Sequence, residues 1–221
     1  MKLILKPKDR EEWLAMRQKI GIGGSDAGTV LGLNPWCSNV QLWRYKTGKE
    51  DPPDISDKPA VKFGKVAEEH IRELFRLDYP QYVIMYHEFD MYVNDRLPWQ
   101  FATLDGEIWK PLSDGTLIMA GILEIKTTTI QNRAQWDEWE NGIPQRYYAQ
   151  VLHQLSATGC EFAILRAYIR WYKDGELRVT VRDYRIERKD VEADIEYLCE
   201  QEQRFIDCVN SGKPPAAIIT M

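Results

Sequence analysis

Two apolar stretches, ATLDGEIW and GILEIKTTT, carry charged residues at positions that restrict how the chain can fold. Asp105 closes the first run, and the triplet Glu124-Ile125-Lys126 lies inside the second. Their separation suits two neighbouring antiparallel strands joined by a loop. Side chains alternate along a strand, so Glu124 and Lys126 share one face while Leu123 and Ile125 point into a core. Two carboxylates beside an ammonium supply hard oxygen ligands for a divalent cation and a fixed positive charge next to them. Each fragment alone is commonplace, because Glu-x-Lys usually marks a solvated strand face and Asp-Gly is usually a turn. Their order across two apolar runs gives them weight.

Composition frames these residues. A chain of 221 residues with 44% hydrophobic and 29% charged residues reads as one globular domain, 1–221, able to bury a proper core. No run approaches the roughly 18 apolar residues of a membrane span. The opening MKLILKPKDR has an apolar stretch too short and too interrupted for a signal peptide, so a cytoplasmic location is expected. Cys37, Cys160, Cys199 and Cys208 include no CxxC pair, which speaks against a zinc site or a disulfide framework. The net charge of −5 offers no global basic surface for nucleic acid, so any such surface must be local or formed by assembly.

Periodicity predicts helices over residues 11–18, 63–77, 132–140 and 145–157, and a last helix from 189 to about 210. Strands are predicted over 82–93, 99–109, 117–128, 162–172 and 177–186, the last two joined by the hairpin dipeptide Asp174-Gly175. Gly21-Ile22-Gly23-Gly24 reads as a flexible turn, with Ser25 or Asp26 capping a short helix that ends near Gly32. Ser38 with Gln41 reads as a capping box for a helix through Tyr45, stopped at Gly48. Residues 50–59, EDPPDISDKP, form a mobile surface loop, and 211–221 a short C-terminal tail. The order of elements implies an α/β fold with a central mixed sheet flanked by helices.

Further candidates lie around the acids. In GKVAEEHIRELF, Ala67, Ile71, Leu74 and Phe75 form an apolar stripe with Glu68 at its edge and Glu69 nearly opposite. A carboxylate beside a buried face is costly unless paired or metal-bound, which singles out Glu68. Gln150, in PQRYYAQVLHQL, falls off the Tyr148, Leu152 and Leu155 stripe and could line a groove beside the sheet. Arg17 precedes a glycine turn whose free N–H groups, with the Ser25 hydroxyl, could cradle a phosphate; a simple helix cap is the plainer reading. Arg178, Arg182, Arg185 and Arg188 are explained by a solvated strand face. His70, His87 and His153 show no metal-ligand spacing.

Arg17 with GIGGSD, GKVAEE, ATLDGEI, GILEIKTT and PQRYYAQVLHQL, in that order from about residue 13 to 156, resemble the lambda-exonuclease family of phage recombination nucleases. These YqaJ-type viral recombinases belong to the PD-(D/E)xK superfamily. The resemblance implies a restriction-endonuclease-like core and Mg²⁺-dependent 5′-to-3′ digestion of linear duplex DNA, with two ions and Mn²⁺ as a substitute. It implies that Asp105, Glu124, Glu68 and the Ile125 carbonyl hold metal, that Lys126 readies the attacking water, and that Gln150 positions water or substrate. Arg17 and Ser25 would hold the 5′-phosphate. It further implies a ring, commonly a trimer, a phage single-strand annealing protein as partner, and a phage or prophage origin within a bacterial cytoplasm. Leu104 stands where the superfamily name expects proline, and Gln154 where the RecB-like branch usually has tyrosine. Asp95 is a possible extra acid. Two other functions fit the same residues: a structure-specific or nicking endonuclease, and a non-catalytic DNA-binding protein. The latter would be expected to lose Asp105, Glu124 or Lys126, and none is lost.

Overall fold

The computed structural model describes residues 3–218, so the last three residues of the expected tail lie outside the described residues. β1 (Leu3–Leu5) leads to α1 (Arg10–Ile20), capped where Asp9 accepts the Glu12 N–H. β2 (Ile22–Gly23) runs directly into α2 (Gly24–Val30). α3 (Asn39–Lys46) follows, with Ser38 accepting the Gln41 N–H as the capping signal requires. Past the exposed 50–59 loop, α4 (Pro59–Asp78) begins with proline in its first turn, where a missing N–H does no harm. Then come β3 (Val83–Met85), β4 (Met91–Val93), β5 (Gln100–Ala102), β6 (Gly106–Pro111) and the long β7 (Leu117–Thr129). α5 (Arg133–Glu140), α6 (Gln145–Thr158), β8 (Phe162–Lys173), β9 (Glu176–Glu187) and α7 (Glu192–Ser211) complete the chain. Asp174 and Gly175 both take positive φ, 52° and 81°, as a tight two-residue hairpin demands.

The main sheet has the order β3-β6-β7-β8-β9 and is mixed, because β7 and β8 run parallel while the other pairs are antiparallel. A second sheet has the order β1-β4-β5-β2. The main sheet is covered on both faces. Ile71 and Phe75 of α4 share one core cluster with Leu123, Ile125 and Ile164. Val151, Leu152 and Leu155 of α6 share another with Ile122, Ala163 and Leu165 on the opposite face, joined by Ile195 and Leu198 of α7.

Several expectations change here. The runs predicted over 82–93 and 99–109 each divide into two short strands that belong to different sheets. Strand propensity continues through both breaks, so the pattern does not reveal that the chain steps from one sheet to the other. Asp105 stands at the second step, between β5 and β6. Gly21–Gly24 is no flexible turn, because Ile22 and Gly23 pair in parallel with Gln100 and Phe101. Gly23 is itself the N-cap of α2, and Asp26 accepts its N–H at 3.1 Å. On α4, Leu74 is 51% exposed and Arg72 takes the buried position beside Ile71 and Phe75. A guanidinium reaches a polar partner from that face, which an apolar-stripe argument does not foresee.

Candidate functional site

β6 pairs with β7 only as far as Gly106 opposite Leu123, so β7 runs on past the start of β6. Asp105 fills the place of the missing strand: its Oδ2 accepts the Ile125 N–H at 2.8 Å. Strand geometry sends a residue's N–H and C=O to the same side, so the Ile125 carbonyl also faces Asp105. The Asp105 carbonyl accepts from Arg72 Nε at 2.6 Å, which ties this junction to α4.

Glu124 is buried, yet its carboxylate is ringed by polar partners. Its Oε1 accepts from Lys126 Nζ at 2.5 Å and from Gln150 Nε2 at 2.7 Å. Its Oε2 accepts from Gln154 Nε2 at 2.6 Å. Both glutamines stand on α6, one turn apart, and so reach the same carboxylate. Gln154 is the residue that sequence reasoning missed as part of the site. Its spacing of four from Gln150 was the available signal.

Burial, reinforced by Glu124 and Glu68, pushes the Asp105 carboxyl well above the ordinary carboxylate range, against Lys126 and the Ile125 N–H. Burial and Glu124 likewise raise Glu68, with Lys126, Arg72 and Lys65 opposing. For Lys126, burial works to lower the pKa, but Glu124 and Asp105 outweigh it and hold the ammonium charged. Among the described residues no three His, Cys, Asp or Glu side chains form a ready cage for a metal. Mg²⁺ needs none, since it keeps several waters and binds through one or two carboxylates plus substrate phosphate. The donor set here is all oxygen, and the raised Asp105 marks a place short of positive charge. A divalent cation fits it.

Asp105, Glu124, Lys126, Glu68, Ile125 and Gln150 all line one groove of about 1060 Å³, as do Arg17 and Ser25. Arg17 Nη2 donates to Ser25 Oγ at 3.1 Å, and its guanidinium lies 4.5 Å from the Trp13 ring centroid. Burial lowers the Arg17 pKa and Asp26 counters it. The Gly23 N–H is taken by Asp26, so this donor of the turn is not available to a phosphate, while the Arg17 guanidinium and the Ser25 hydroxyl line the groove. The 50–59 loop borders the groove through residues 52–57. Asp95 is elsewhere, in a separate cleft with Arg188 and Cys199. Arg178, Arg182, Arg185 and Arg188 spend their guanidinium groups on local partners, among them Glu176, the Trp139 carbonyl, Glu187 and Glu192. His153 is buried against Glu202 and the Phe101 carbonyl. No helix among the described residues is long and apolar enough to cross a membrane.

Similarity to known proteins gives the family and the fold. The family model of the YqaJ-like viral recombinase domain matches residues 12–161. The uncharacterized protein YqaJ of Bacillus subtilis (strain 168) is 33% identical over 211 residues, which is 94% of this chain and 59% of that protein. The chain therefore spans less than two thirds of that relative's length. An alkaline exonuclease from Laribacter hongkongensis superimposes with a TM-score of 0.65 at 18% identity, over 91% of this chain and 93% of that one. A phage-related exonuclease from Haemophilus somnus 129PT gives 0.55 at 12%, over 87% and 96%. At such identities these two structures speak for the fold, a PD-(D/E)xK core with its mixed sheet between helices. The chain belongs to the YqaJ-like viral recombinase domain family.

Proposed function

We propose that this chain hydrolyses linear double-stranded DNA from a 5′-phosphorylated end, in the 5′-to-3′ direction, releasing mononucleotides and leaving a 3′ single-stranded tail. The observation that carries this reading is the meeting of Asp105, Glu124, Glu68 and Lys126 with the Arg17–Ser25 pair in one groove. Two Mg²⁺ ions, replaceable by Mn²⁺, would be held by Asp105, Glu124, Glu68 and the Ile125 carbonyl, and would supply charge neutralisation and an activated water. Lys126 keeps a positive charge beside the attacking water and the anionic phosphate. Gln150 holds Glu124 in orientation from α6. Arg17 presents a guanidinium, and Ser25 a hydroxyl, to the terminal phosphate. A ring of three copies would enclose the duplex, so that topology would stand in for part of the electrostatic grip that a chain of net charge −5 lacks, and a phage annealing protein would take up the 3′ tail. Light scattering showing only monomer at working concentration would remove the ring from this reading.

The test is digestion of a 5′-phosphorylated linear duplex with Mg²⁺, beside the 5′-hydroxyl duplex, the closed circle and a chelator control. Fast loss of the phosphorylated linear duplex alone is expected, with Lys126→Ala at least about 100-fold slower. Equal cutting of closed circles would replace the reading with an endonuclease.

A further inference from the structure

We propose that Gln154 is a positioning residue of the carboxylate site, holding the one oxygen of Glu124 that stays open to a cation. The inference rests on reading this site as a divalent-metal site. A carboxylate offers about four acceptor positions, two on each oxygen. Lys126 and Gln150 use both positions of Oε1. Gln154 uses one of Oε2, so the remaining position is on Oε2 and its direction is set by Gln154 alone.

Four further observations support the assignment. Gln154 is 1% exposed, a place where an apolar side chain would pack without needing partners. Its amide orientation is forced, because reversal would set the amide oxygen against a carboxylate oxygen at 2.6 Å. With that orientation its own Oε1 is left buried without a hydrogen-bond partner, so the contact to Glu124 is kept at the expense of an unsatisfied acceptor. Finally, Gly24 makes room for both glutamines: a Cβ there would stand 3.3 Å from Gln150 Cγ and 3.4 Å from Gln154 Cγ.

Gln154→Met keeps the volume and removes the donor. Mg²⁺ binding is read by calorimetry and by the metal-induced rise of each variant's own Tm, so a general loss of stability is subtracted. Gln154→Met is expected to bind Mg²⁺ about 10- to 100-fold more weakly. Gln150→Met should lose less, since Lys126 still holds Oε1. At saturating Mg²⁺ the Gln154→Met kcat should recover toward wild type with KM for DNA unchanged. Wild-type Mg²⁺ affinity in Gln154→Met, or an equal loss in Gln150→Met, overturns the assignment. If Gln154→Met does not fold, Gln154→Asn, too short to reach Glu124, gives the same comparison. A wild-type protein that binds no divalent ion would defeat the metal-site reading itself, an outcome distinct from failure of the Gln154 role.

Discussion

At the scale of single residues, the site stores electrostatic conflict. Asp105 is raised by burial, Glu124 and Glu68, so its folded pKa lies above its unfolded one. Its stabilising contribution is present below the unfolded value and is lost as pH rises through the folded value. Above that window an ionised Asp105 opposes folding of the metal-free protein. Asp105→Asn keeps an oxygen for the Ile125 N–H and removes that charge. It is expected to stabilise the metal-free protein by about 1 kcal/mol in thermal melts while abolishing cleavage. Asp105, Glu124 and Lys126 could be read from the chain because their order is unusual. Gln154 was marked only by its spacing of four from Gln150, a signal that stays ordinary on a helix until a carboxylate is found opposite.

Among the elements, β7 positions the site, and its packing depends on close contacts. Gly121 lies opposite Phe162 in the β7–β8 register. A Cβ at Gly121 would stand 2.5 Å from one ring carbon of Phe162 and 2.6 Å from another. Phe162 is fully buried and has little room to yield. Gly121→Ala is expected to cost about 1–3 kcal/mol in denaturant unfolding. Helix ends such as Ser38 and the Asp174-Gly175 hairpin were readable, since caps and turns are local chemistry. The split of two predicted strands between sheets was not, because pairing partners far along the chain decide it.

For the molecule as a whole, His153 joins three elements: Nε2 donates to the Phe101 carbonyl of β5, and Nδ1 meets Glu202 of α7 at 2.7 Å. Gln100 Nε2 donates to the other Glu202 oxygen at 2.8 Å. Burial works to lower the His153 pKa, but Glu202 and the Phe101 carbonyl outweigh it and raise it above the ordinary 6.5. The stabilisation is therefore complete below 6.5 and is lost as pH climbs through the raised folded value. Tm should fall across that range, and His153→Gln should flatten the dependence; an unchanged pH profile would refute it.

The sequence by itself determined the helices, the hairpin, the acid-acid-lysine trio and the family, because these rest on local periodicity and residue order. Only the tertiary structure decided that Asp105 completes the open side of β7, that α6 sets two glutamines on Glu124, and that Arg17 and Ser25 share the groove. Those placements come from packing between distant segments, and no local pattern carries them.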